Sequence, residues 1–90
     1  GIIQTELSIP WAESLKDKRR VVKSLKDKLR RLFNVAVAEV GENDVWRVAM
    51  LGLSTVGNDP KFVREVCDKV VAWVQNNCDA PVEDYEVEIL

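Results

Sequence analysis

Apolar and polar side chains alternate from the first residues of the chain. Ile3, Thr5, Leu7 and Ile9 fall on one side of an extended segment, and Ile2, Gln4, Glu6 and Ser8 on the other, which predicts a half-buried strand over 2–9. Pro10 ends it, because proline has no N–H to give to a ladder. The pattern then changes to a helical one over about 14–33. Ser14 stands as N-cap with Asp17 at the third helical position, a capping box with Asp in place of Glu. Leu15, Val22, Leu25, Leu29, Leu32 and Phe33 recur within an arc of about 100° when each residue advances the helix by about 100°.

Residues 35–40, Val-Ala-Val-Ala-Glu-Val, predict a second strand. The Gly41-Glu42-Asn43-Asp44 cluster predicts a turn, and 45–56 a long third strand, so that 35–56 forms a hairpin. Asn58 or Asp59 caps a second helix with Pro60 in its first turn, where a missing N–H costs nothing. Phe62, Val63, Val66, Cys67, Val70, Trp73 and Val74 give that helix a wide apolar face. A last strand alternates Tyr85, Val87 and Ile89 with Asp84, Glu86 and Glu88. The order β-α-β-β-α-β predicts a single α+β domain over 1–90, a ferredoxin-like two-layer sandwich with both helices on one face. Right-handed crossovers give its antiparallel sheet the order 4-1-3-2.

The 90 residues and 47% apolar content suit one core. No run approaches the roughly 18 apolar residues of a membrane span, and the start has no signal-peptide pattern. Cys67 and Cys78 lie eleven apart, neither a redox pair nor a metal knuckle, and are expected to be reduced structural thiols. A cytoplasmic location without membrane or metal partners follows.

Charge changes the picture through its distribution. Residues 13–33 hold nine of the thirteen basic residues and three acids, 9 − 3 = +6, while the remainder holds four and twelve, 4 − 12 = −8, giving the net −2. With Val22 at 0°, Lys26, Arg19, Arg30, Lys23, Lys16, Arg20 and Arg31 project between about 40° and 180°, interrupted only by Asp27. Such a stripe suits a phosphate backbone, RNA foremost, or else is a solvated face balanced by acids elsewhere. The recurrence of Ser14-Leu15-Lys16-Asp17-Lys18 as Ser24-Leu25-Lys26-Asp27-Lys28 reads as helix composition, since ten residues are too few for a repeat unit. Lys18 projects into the apolar arc. It either snorkels to water over the strand end, the commoner outcome for lysine, or is a buried charge with a carboxylate partner.

If Ala49, Leu51 and Leu53 face the helices, Trp46, Val48 and Met50 face the open side of the sheet. RNA-binding domains of this fold stack bases there, but Gln4, Glu6, Asp84, Glu86 and Glu88 would share the face, and acids repel phosphate. A homodimer or protein interface is therefore preferred for Trp46, Val48 and Met50, ahead of coverage by a loop. Catalysis has little to stand on. The chain has no histidine and no Gly-rich phosphate loop. Ser14 and Ser24 read as a cap and a surface residue, and Glu39, Glu42 and Asp44 as turn chemistry. No catalytic residue, cofactor or metal is expected.

Several segments together resemble the YlxP-like family, a small bacterial family of unknown function. They are Ser14-Leu15-Lys16-Asp17-Lys18-Arg19-Arg20, then Phe33-Asn34-Val35-Ala36-Val37-Ala38-Glu39-Val40, Asp44-Val45-Trp46, Leu51-Gly52 and Gly57-Asn58-Asp59. The likeness runs over almost the whole chain and is weakest in the last strand. It implies the same fold and a dimer. It also implies a link to RNA or the ribosome, because genes of the family often neighbour translation and ribosome-maturation factors. It supplies no catalytic residues; Lys18 and Glu39 match the family pattern.

Overall fold

The computed structural model describes residues 1–41 and 44–90. Its elements are β1 (Ile2–Ser8), α1 (Leu15–Leu32), β2 (Ala36–Glu39), β3 (Val48–Ser54), α2 (Pro60–Asn77) and β4 (Val82–Glu88). The strands form one antiparallel sheet in the order β2-β3-β1-β4, the expected 4-1-3-2 read from the other edge. Ile3, Thr5 and Leu7 of β1, Val37 of β2, and Ala49, Leu51 and Leu53 of β3 are buried, and all belong to one phase of the alternation. Val22, Leu25 and Leu29 of α1 and Val63, Cys67, Val70 and Val74 of α2 join them in a single core. One buried sheet face with two helices against it is the ferredoxin-like α+β arrangement.

Local chemistry explains the helix ends. Ser14 Oγ accepts from the N–H of Asp17 at 3.1 Å, while the Asp17 carboxylate accepts from the N–H of Glu13 at 3.0 Å. The reciprocal capping bond thus lands one residue before the cap. Asp59, rather than Asn58, caps α2 by accepting from the N–H of Lys61, with Pro60 in the first turn. Both cysteines are free thiols, Cys67 buried and Cys78 half-buried.

Three expectations change. The third strand begins at Val48 rather than at residue 45, because β2 has only four residues and the ladder to β1 starts at the Ser8–Val48 pair. Arg47 serves the β1–α1 connection instead: its carbonyl accepts from Ile9 N–H at 2.8 Å and its Nε donates to the Ala12 carbonyl at 3.0 Å. Leu32 and Phe62 are exposed rather than core. Phe33 closes the end of α1 by meeting Trp73 of α2 edge to face, ring centroids 6.5 Å apart. In β4, the register to β1 shifts between Glu6 and Leu7, and Tyr85, opposite Thr5 on the edge strand, is exposed. Of the expected turn, Glu42 and Asn43 lie outside the described residues.

Gly41 enters that hairpin with φ of 105° and, among the described residues, nothing within 4 Å of where a Cβ would stand. Its constraint is conformational rather than steric. Gly41→Ala is expected to destabilise the fold by about 1–2 kcal/mol in urea unfolding, the cost of holding an L side chain at positive φ.

Candidate nucleic-acid interface

The basic side chains owe their direction to the core stripe of α1. Because Val22, Leu25 and Leu29 face the sheet, Lys16, Arg19, Arg20, Lys23, Arg30 and Arg31 are exposed, and Lys26 is half-buried. Arg30 and Arg31 stand in the last turn and Asp17 in the first, each matched to the partial charge of its helix end. Two of the seven expected residues are partly committed to other contacts. Arg30 Nη2 donates to the Val37 carbonyl at 2.9 Å, bracing the helix against β2. Lys23 meets Asp27 one turn on at 3.3 Å, with both side chains more than half exposed, so the pair is screened and weak.

The positive surface also extends beyond the expected stripe. Lys28 projects to about −120°, past the far edge of the arc. It joins Arg20, Lys23, Ser24, Asp27 and Arg31 in a surface groove of about 390 Å³ behind the helix. A second, larger cleft of about 480 Å³ lies between α1 and the end of α2, and Trp11, Arg20 and Lys28 are among the residues that line it. Trp11 and Lys28 were not singled out by periodicity. Lys28 is legible from its helical angle, whereas Trp11 lies in a connection and reaches α1 only through tertiary structure. Cys78 lines the same cleft. Burial pushes its thiol pKa up, the Ala80 backbone hydrogen bond pulls part of the way back, and Asp79 and then Lys28 add lesser pushes in opposite directions. A thiol held protonated in this way is a poor nucleophile, in keeping with a structural role.

Lys18 is buried, with 1% of its side chain exposed, and does not snorkel. Its ammonium ends on a carboxylate and a carbonyl inside the fold instead of reaching for water. Its Nζ lies 2.7 Å from Glu39 Oε2 and donates to the Val48 carbonyl at 3.2 Å. The alternation that turns Val37 inward turns Glu39 inward too, which delivers the carboxylate to the lysine. That oxygen is buried, and its contact with Lys18 is an ion pair rather than an aligned hydrogen bond. The buried-partner alternative therefore holds for this pair.

On the open sheet face, Val48 and Met50 are half-buried, but Trp46 does not continue their row. It lies in the turn before β3 with the Arg47 guanidinium 5.9 Å from its ring centroid. The face divides in two. Glu6, Asp84 and Glu86 surround Met50 in one shallow depression toward β4. Toward β2, Val40 lies over Gly52, whose absent side chain leaves it room. Among the described residues, no cluster of side chains could hold a metal ion, and no helix is long and apolar enough to cross a membrane.

The fold and surface define a small ferredoxin-like domain with a cationic helix face and an acidic sheet face. The chain belongs to the DUF503 family, described as a protein family of unknown function, whose model matches residues 1–87. It is similar to the Uncharacterized protein YlxP of Bacillus subtilis (strain 168), 29% identical over 76 residues that cover 84% of this chain and 83% of the relative.

Removing one member of the buried pair is more damaging than removing both. Glu39→Gln leaves the Lys18 ammonium in the core without this carboxylate and is expected to cost about 3 kcal/mol in denaturant unfolding. The double variant Lys18→Met, Glu39→Leu should recover most of that loss.

Proposed function

We propose that this protein is a non-catalytic binding domain that holds RNA by its phosphate backbone on the basic flank of α1. The observation that supports this reading is the exposure of Lys16, Arg19, Arg20, Lys23 and Arg31 on one rigid helix. Among the described residues, Asp27 is the one acid in ion-pair contact with them. Cations gathered on a surface with so few counter-charges repel one another. An anionic partner relieves that repulsion and releases its own counterions on binding. Glu6, Asp84 and Glu86 lie on the outer face of the sheet, so a polyanion has one side to approach and one to avoid.

A second reading, self-association through the open sheet face, draws on the apolar side chains Val40, Val48 and Met50 of that face, although Met50 sits among acids. The two readings use opposite faces and separate cleanly. A strictly monomeric mass at high concentration in light scattering counts against the second and leaves the first untouched.

For the first, labelled structured RNA is titrated at several salt concentrations and followed by fluorescence anisotropy. Contacts to about four phosphates should make affinity fall about 100-fold between about 50 and 200 mM salt. Arg19→Glu, Lys23→Glu and Arg31→Glu combined should abolish binding without unfolding the protein, since all three side chains are exposed. Arg31 is chosen ahead of Arg30, whose bond to Val37 gives it a structural role. Absence of binding at low salt, or a triple variant that binds as well as the parent, overturns the reading.

A further inference from the structure

We propose that the cleft between α1 and the end of α2 receives one unpaired base of the bound RNA, stacked on Trp11, with the adjoining phosphate held by Arg20 and Lys28. This rests on the RNA reading of the α1 flank and adds to it a specific subsite for single-stranded nucleotides.

The first observation is the tryptophan. Trp11 is 48% exposed, yet its neighbours are fixed. Ile9 and Ala12 are fully buried, the Ala12 N–H donates to the Ile9 carbonyl at 3.1 Å, and the Ala12 carbonyl accepts from Arg47 Nε. A large ring is therefore presented to solvent on backbone that is tied down on both sides. Stacking a base on such a platform requires little further ordering of the protein.

The second observation is what surrounds it. The cleft volume of about 480 Å³ lies in the range of sites that enclose small organic molecules. Val21 and Leu25 supply apolar wall, while Arg20 and Lys28 supply cations on the α1 side. Asp79, on the α2 side, repels phosphate but can accept a hydrogen bond from the amino group of a base. The cleft thus has separate places for a flat ring, an anion and a base edge, which is the chemical layout of a nucleotide.

The third observation is continuity. Arg20, Ser24 and Lys28 line both this cleft and the groove behind α1 that runs on to Lys23 and Arg31. A backbone leaving the cleft enters that groove directly and reaches the basic flank. Duplex RNA can contact the flank but cannot place a paired base in the cleft.

The test compares a short single-stranded oligoadenylate with a duplex RNA of equal length, both by anisotropy. Trp11→Ala should weaken oligoadenylate binding at least about fivefold, leave its salt dependence unchanged, and leave duplex binding unchanged. Trp11→Phe should keep most of the affinity. Lys28→Glu should weaken oligoadenylate binding and lower its salt slope by about one phosphate contact or more. A measurement on the unmutated protein guards against a Trp11 variant that misfolds. Alkylation of Cys78 by N-ethylmaleimide at mildly alkaline pH, mapped by mass spectrometry, should be slowed by oligoadenylate and not by the duplex, with buried Cys67 as the internal reference. Equal loss on both RNAs for Trp11→Ala, or Cys78 alkylation indifferent to oligoadenylate, overturns the base pocket while leaving the phosphate-binding flank standing. If the unmutated protein binds neither RNA at low salt, both proposals fall together.

Discussion

The ammonium of Lys18 ties the helix layer to the sheet layer. From the core-facing side of α1 it reaches Glu39 at the end of β2 and the Val48 carbonyl at the start of β3. One side chain thus joins a helix to two neighbouring strands where a hairpin leaves the sheet. A buried ion pair of this kind is not stronger than well-packed apolar groups of similar size. Its effect is directional. Apolar contacts between helix and sheet tolerate a small roll of the helix, whereas a charge lifted from its partner inside the core does not. Lys18 therefore adds a directional tie to the rotation that Val22, Leu25 and Leu29 give α1, and with it to the direction in which Arg19, Arg20 and Lys23 point.

With that rotation set, the two layers carry opposite signs. The helix layer presents most of the cations, and the outer sheet face presents Glu6, Asp84 and Glu86. The charge of the domain is therefore unevenly divided between its two layers. A polyanion diffusing nearby is turned toward α1 before any contact forms, and the same field holds it off the face where Met50 lies. Arg30 is the exception among the cations. Its bond to Val37 places it at the seam between the layers, where it braces the fold as well as adding to the field.

Much of this was legible in the sequence because it rests on periodicity. The alternation Ile3-Thr5-Leu7 and the spacing of Val22, Leu25 and Leu29 sufficed for the strand, the helix and their buried sides, and the β-α-β-β-α-β order for the topology. The seven-cation stripe followed from the same wheel. What escaped depends on contacts between segments distant in sequence. Lys18 was visibly on the core arc, but the habit of lysine to reach for water argued the wrong way, and the inward turn of Glu39 two residues after Val37 was the overlooked sign. Trp46 fits a strand by residue type, yet β2 is too short to offer residues 45–47 a partner. Trp11 belongs to no periodic element, and its proximity to Lys28 exists only once both connections and both helices are in place.

The sheet order also governs how this chain comes to be folded. β1 precedes the other three strands but lies in the middle, bonded to β3 on one side and β4 on the other, with Ile2 opposite both Ser54 and Glu88. Its hydrogen-bonding groups on one flank have no strand partner until β4 has been synthesised. A sheet completed by such distant pairings forms more slowly than a helical bundle of equal size. During vectorial synthesis, a strand carrying Ile3 and Leu7 stays unzipped longest, and it is there that the nascent chain is most open to misassociation.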